Sequence, residues 1–127
     1  LLSNLETEKE KLLQIVLVGQ PELYDKLKLP ALRQLNQRVS VRYHLTPLNR
    51  NEVYYYIKHR LTVAKTKELP QDKIQFTSKA LDMIYEQTEG TPRMVNIICD
   101  RALLAGFISE TFTIDETIIN NCAKEII

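Results

Sequence analysis

Two side chains of this sequence occupy positions suited to contacting an anion or a water molecule. Arg93 falls in the first turn of a helix that Thr91-Pro92 should begin and that should run to about Ile108. Helix N-termini favour anions, and a guanidinium is a forked donor that suits phosphate oxygens. Arg93 could equally be a partly exposed arginine whose stem packs while its charge reaches water. Position alone leaves both interpretations open.

Gln20 directly follows residues 14–19, a short apolar run that ends in glycine. Such a run is typical of a strand buried on both faces of a parallel sheet. Ligands gather at the carboxyl ends of these strands, so Gln20 is placed to orient a water or a phosphate, although glutamine is also an ordinary loop residue. Arg38 precedes the alternating segment 39–45, and its position by itself indicates only a solvated surface charge.

Other reactive residue types give weaker signals. Cys99 and Cys122 lie far apart without a CxxC motif, which predicts small buried apolar side chains rather than a disulfide or zinc site. His44 and His59 have no partner nearby in sequence, so a metal or general-base role has little support. No spacing indicates a Ser/His/Asp or Cys/His arrangement, and we predict no metal site.

The elements that would position these residues change character near residue 46. Strands are predicted at 14–19 and 39–45, with short helices over 21–28 and from Pro30 between them. Two strands do not make a stable sheet, which suggests an α/β fragment whose remaining strands lie elsewhere. Their exposed edge also predicts pairing with a second copy of the chain.

Only helices are predicted after residue 46. The first has Asn49 and Glu52 at capping-box spacing and should run to about Lys67, followed by a loop through Pro70. Thr77 should cap a second helix that Gly90 ends, and Asp115 should open the fourth. The third helix, from Pro92, is apolar nearly all round, which predicts a central, buried element. We therefore predict an α/β remnant over 1–46 and a four-helix domain over 47–127.

Composition narrows the classes of protein. The 127 residues are 44% hydrophobic and 26% charged, which is typical of a soluble globular domain. Seventeen basic residues nearly balance sixteen acidic ones, which argues against a strongly basic nucleic-acid binder. No apolar run is long enough for a transmembrane helix, and no secretory signal is recognisable, so a cytoplasmic chain is expected.

Four motifs together resemble one family. They are LLSNLET at 1–7, LLQIVLVGQPEL at 12–23, LRQLNQRV at 32–39 and GTPRMVNIICDRALL at 90–104. In order and spacing they closely resemble the ExeA family of AAA+ ATPases, the general secretion pathway A proteins. GTPR alone is shared with other AAA+ motors such as the Holliday-junction branch-migration ATPases, but its combination with GQPEL at this distance is more specific.

The resemblance implies roles that composition does not. Gln20 would be the sensor-1 group near the γ-phosphate, and Arg38 the arginine finger that reaches a neighbouring subunit's nucleotide. Residues 47–127 would be the helical lid of a P-loop NTPase, with Arg93 as sensor 2. The full-length parent would bind ATP and Mg²⁺, assemble as a ring, and work with the envelope secretion machinery at the cytoplasmic face of the inner membrane.

The chain departs from the family in lacking the phosphate cradle. No GxxxxGK[ST] motif and no apolar run ending in Asp-Glu occurs in it, so Walker A and Walker B are expected upstream of residue 1. We therefore predict that these 127 residues alone bind no cofactor and do not hydrolyse ATP. Two alternatives remain open: a fragment of a DNA-associated AAA+ ATPase of the transposition-regulator type, and a plain helical interaction domain.

Overall fold

A computed structural model describes residues 13–64 and 74–126. The chain divides into two compact units, Leu1–Leu45 and Thr46–Ile127. Their assignment as a core remnant and a lid stays a prediction. The LLSNLET motif at 1–7, the expected helix end near Lys67 and the loop through Pro70 lie outside the described residues. None of the described helices combines the length and the hydropathy that a membrane-spanning segment needs.

Over residues 13–45, the first unit contains only short helices. α1 spans Glu22–Leu27 directly after Pro21, a 3₁₀ turn spans Pro30–Leu32, and α2 spans Arg33–Arg38. Both prolines therefore lie where a missing N–H costs no hydrogen bond, at a helix start. The predicted short helices over 21–28 and from Pro30 are confirmed.

The prediction of strands at 14–19 and 39–45 is wrong for the described residues. Neither segment forms a strand within residues 13–64. Val18 is 89% exposed and Val41 82% exposed, so their apolar side chains have no sheet face to pack on. A strand is stable only when a neighbour satisfies its backbone groups, and alternation alone supplies none. The parallel sheet of the structure lies instead in the second unit.

Side-chain contacts hold the segment after α2 in place of ladder hydrogen bonds. The Arg42 guanidinium donates to the Asn36 carbonyl oxygen at 2.8 Å and to its Oδ1 at 2.6 Å. The rings of Tyr24 and His44 lie 6.3 Å apart. Because the predicted strand edge is not formed, the reason for expecting edge-paired dimers no longer applies, and self-association stays an untested prediction.

The second unit holds four helices over its described residues. They are α3 (Arg50–Ala64), α4 (Ser78–Thr88), α5 (Pro92–Ile108) and α6 (Glu116–Ile126). Two short strands, β1 (Gln75–Phe76) and β2 (Thr113–Ile114), pair in parallel with Gln75 opposite Thr113. The predicted four-helix region is confirmed, while this small sheet was not anticipated.

Local capping explains where these helices begin. The Asn49 side chain accepts from the Glu52 N–H at 2.8 Å, and the Glu52 carboxylate accepts from the Asn49 N–H at 3.0 Å. This reciprocal pair is the capping box that the sequence predicted. The Thr77 hydroxyl accepts from the Ala80 N–H at 3.1 Å, and the Asp115 carboxylate from the Ile118 N–H at 3.0 Å. Each cap satisfies an N–H group that the helix itself cannot.

A hydrophobic core joins all four helices and β2. Its members are buried side chains at helical spacing: Val53, Ile57, Ala80, Ile84, Val95, Ile98, Ala102, Ile114, Ile119 and Cys122. Buried apolar side chains each contribute about 1.5–3 kcal/mol relative to exposure, so this cluster is the main source of the unit's stability.

α5 is buried on one face rather than all round. Val95, Ile98 and Ala102 are almost fully buried, but Leu104 is 60% exposed and Phe107 81% exposed. The expectation of a helix enclosed on every side is therefore wrong for its C-terminal half. α3, α4 and α6 pack on α5. In the C-terminal half of α5, the described residues cover only one face of the helix.

Candidate functional site

The start of α5 presents a guanidinium that has no partner among the described residues. Pro92 is the first helical residue and Arg93 the second, and Arg93 is exposed. Within residues 13–64 and 74–126, no hydrogen bond or ion pair engages the Arg93 side chain. The N-cap residue Thr91 makes no side-chain cap, so the first-turn N–H groups keep their capacity to donate. This end of the helix can therefore offer a fork donor together with a favourable helix dipole.

A tight turn between α4 and α5 determines where α5 starts and therefore where Arg93 lies. Glu89 adopts a left-handed conformation (φ 51°), and Gly90 follows with φ 82°. Thr88 is a buried polar residue whose hydroxyl donates to the Ile84 carbonyl at 2.7 Å. The same hydroxyl accepts from the Gly90 N–H at 3.2 Å. Thr88 thus satisfies a buried donor in the turn and fixes the exit from α4.

Gly90 contacts the segment that leads into α3. The Leu48 N–H donates to the Gly90 carbonyl at 2.9 Å. A Cβ added to Gly90 would lie 1.8 Å from the Leu48 carbonyl oxygen, so only glycine fits at this approach. Sequence analysis interpreted Gly90 as a helix stop, and the structure adds this second role.

Asn96, which follows Arg93 by three residues along α5, has its own partner. Asn96 accepts a hydrogen bond from the Tyr56 hydroxyl at 2.8 Å, which joins α5 to α3. Tyr56 is half-buried, while Tyr54 and Tyr55 are exposed and their rings meet edge to face. Asn96 therefore helps to hold α5 against α3.

The two cysteines are free, as predicted, and neither is an activated nucleophile. Burial raises the pKa of the Cys99 thiol to about 12; the Asp100 carboxylate raises it further and Arg60 opposes the shift. Burial also raises the pKa of Cys122. A thiol acts as a nucleophile or metal ligand through its thiolate, so both side chains serve as small apolar groups. Over the described residues, no cluster of His, Cys, Asp or Glu could hold a metal ion.

The other two candidate residues lie in the first unit. Gln20 is exposed two residues before the start of α1, and its backbone carbonyl accepts from the Leu23 N–H at 2.9 Å. Arg38 is the exposed last residue of α2. Because Arg93 belongs to the second unit, the structure does not bring the three residues together in one body, and their common site stays a prediction.

One relative matches almost the whole chain. General secretion pathway protein A of Aeromonas hydrophila is 46% identical over 126 residues, which cover 99% of this chain and 22% of that protein. The chain thus spans about a fifth of the length of its relative. No protein-family model matches the chain. No solved structure matches it significantly. The identity supports the family resemblance drawn from the four motifs.

The roles of Thr88 and Leu48 are not apparent from the sequence. A threonine near a helix end is common, and its two partners here are backbone groups, which leave no trace in the side-chain pattern. The available signal was Thr88 two residues before a helix-ending glycine, a spacing at which a hydroxyl can reach the turn.

Proposed function

We propose that this chain is the sensor-1-to-lid section of an AAA+ ATPase of the secretion-pathway type. The observation that carries the proposal is the 46% identity to general secretion pathway protein A along 99% of the chain. Arg93, exposed and without a partner among the described residues at the start of a 17-residue helix, agrees with it. The parent protein would be an ATP-hydrolysing oligomer that works with the envelope secretion machinery.

Arg93 would act as sensor 2. Its guanidinium would donate to phosphate oxygens of ATP, and the N-terminal dipole of α5 would add to the attraction. Binding energy at this contact would favour the arrangement of the two units in which Arg93 reaches the nucleotide. Rotation about the junction near residue 46 would then follow ATP binding as a hinge closure.

Gln20 and Arg38 would act from the first unit. As sensor 1, the Gln20 amide would orient the attacking water or a γ-phosphate oxygen. As an arginine finger, Arg38 would stabilise charge on the transferring phosphoryl group of a neighbouring subunit, an effect worth roughly 10³–10⁵ in rate in P-loop NTPases. Arg38 would therefore act in trans, which requires assembly of the parent.

The described residues fit only part of an ATP site. Arg93 suits phosphate oxygens, but no carboxylate cluster within 13–64 and 74–126 could hold Mg²⁺, and no GxxxxGK[ST] motif occurs in the sequence. The metal and the phosphate cradle would have to be held by other sequence of the parent, where Mg²⁺ would neutralise phosphate charge. The 127-residue chain alone should accordingly lack ATPase activity.

Mixing subunits tests the proposal most specifically. Full-length protein carrying Arg38→Ala should lose most of its ATPase activity. Adding a second inactive variant whose own nucleotide cradle is disabled should restore part of it, because each variant supplies what the other lacks across a subunit boundary. Arg33→Ala, which removes an exposed arginine at the other end of α2, is the matched control. Full activity of the Arg38→Ala protein, or turnover by the 127-residue chain, would contradict the proposal.

A further inference from the structure

The turn that precedes Arg93 is hydrogen-bonded to the first residues of the second unit. Leu48 lies two residues after Thr46, where the second unit begins. Its N–H donates to Gly90 at 2.9 Å, three residues before Arg93. A single backbone hydrogen bond therefore joins the chain just beyond the junction to the chain just before the candidate sensor.

The Thr88 side chain supports the contact between Leu48 and Gly90. Its hydroxyl is buried and uses both of its capacities, donating to Ile84 at 2.7 Å and accepting from Gly90 at 3.2 Å. Gly90 itself is buried, so its N–H would otherwise lack a partner, which costs more than the hydrogen bond contributes. The hydroxyl thus holds the Glu89–Gly90 peptide. The next peptide, Gly90–Thr91, carries the carbonyl that accepts from Leu48, and its N–H donates to the Thr88 carbonyl at 3.1 Å.

We infer that Thr88 is a positioning residue for Arg93. Through Gly90, it locks the start of α5 onto the Leu48 segment, so that Arg93 moves together with the chain that leaves the junction. A displacement at the junction then moves the guanidinium as well, because the turn between them does not absorb it. This inference rests on the proposed function, since it assumes that Arg93 contacts a phosphate.

Thr88→Val and Thr88→Ser form a matched pair for the test. Valine keeps the shape of threonine and removes the hydroxyl, while serine keeps the hydroxyl and removes the methyl group. In the full-length protein, Thr88→Val should lower kcat for ATP hydrolysis by roughly 10- to 100-fold, the loss expected from a displacement of about 1 Å in a group that must be aligned. Thr88→Ser should stay close to wild type.

A double-mutant cycle separates positioning from general stability. If Thr88 acts through Arg93, Thr88→Val should cause little further loss of kcat in an Arg93→Ala background, because the group it positions is already gone. Additive losses would overturn the inference and leave the proposed function standing. Arg93→Ala with full activity would instead overturn the proposed function itself.

Amide hydrogen exchange in the 127-residue chain gives a test that needs no variant to be active. The Leu48 N–H of the wild-type chain should be protected to an extent comparable to the Val53 N–H, which donates to Asn49 at 2.9 Å in the first turn of α3. Thr88→Val should speed exchange at Leu48 while leaving Val53 protected. Exchange of the wild-type Leu48 amide at the rate of an exposed amide, or equal loss at both positions, would overturn the inference.

Discussion

Replacing Gly90 by alanine should strongly destabilise the helical unit. Gly90 has φ 82°, and an added Cβ would lie 1.8 Å from the Leu48 carbonyl oxygen. The left-handed conformation costs a residue with a Cβ about 1–2 kcal/mol. The clash would also displace Leu48, and its hydrogen bond to Gly90 contributes about 1 kcal/mol. The expected loss is thus about 2–3 kcal/mol, and since each kcal/mol shifts Tm by about 4–8 °C in a domain of this size, Tm should fall by about 10 °C or more.

Gly106→Ala is the matched control for that experiment. Gly106 is also buried in the second unit, but its φ is not left-handed, and its added Cβ would meet the end of the Ile114 side chain at 2.7 Å and the Thr111 carbonyl oxygen at 3.2 Å, milder contacts than the 1.8 Å approach at Gly90. Alanine in a helix interior also gains about 1 kcal/mol over glycine, which offsets part of the crowding. Circular dichroism melting of the 127-residue chain measures both variants. A Gly90→Ala chain that melts within a few degrees of wild type, or no lower than Gly106→Ala, would refute the account of the turn.

Two further predictions concern stability. Asn49→Ala should lower the free energy of unfolding by about 1 kcal/mol through loss of the capping box, whereas Asn51→Ala, inside the helix, should not; urea titration measures both, and equal midpoints would contradict the cap. Because Cys99 has a folded pKa of about 12 against an ordinary 9.0, the folded state retains its proton longer than the unfolded state. Its contribution is therefore complete below pH 9 and falls as pH rises from about 9 towards 12. Cys99→Ala should lose stability less steeply over this range in pH-dependent melting, and an identical pH profile would contradict the burial of the thiol.

Helix positions followed from the sequence because their signals are local. Asn49 with Glu52, Thr77 and Asp115 each satisfy N–H groups three residues away, so a few adjacent letters are sufficient to place a helix start. Pro92 marks the start of α5 for the same reason. The ends of these helices were likewise set by nearby residues such as Gly90.

The strands and the exposure of individual side chains could not be predicted from the sequence, because both depend on residues that are distant in the chain. The alternation at 39–45 predicts a strand only if a neighbouring strand accepts its hydrogen bonds, and none does within the described residues. β1 and β2 were missed because two residues each are too few to produce a pattern, and because α4 and α5 lie between them in the chain. Leu104 and Phe107 look like core residues by type, yet which face of α5 is covered depends on where α3, α4 and α6 pack.

Only part of the candidate site could be predicted from the sequence. The GTPR motif indicated Arg93 at a helix start, and the structure places it there, exposed. The sequence did not indicate how that start is held, since Thr88, Gly90 and Leu48 interact through backbone groups. The roles of Gln20, Arg38 and Arg93 as nucleotide sensors stay predictions.

Comparison of two arginines on α5 tests the central claim most directly. Arg93 is exposed near the start of the helix without an ion pair among the described residues, while Arg101 is half-exposed and lies 3.7 Å from Glu125 on α6. The measurement is steady-state ATP hydrolysis by the full-length protein carrying Arg93→Ala or Arg101→Ala. We predict that Arg93→Ala abolishes most of the activity and that Arg101→Ala retains it. Equal activity of the two variants would contradict the assignment of Arg93 to the nucleotide.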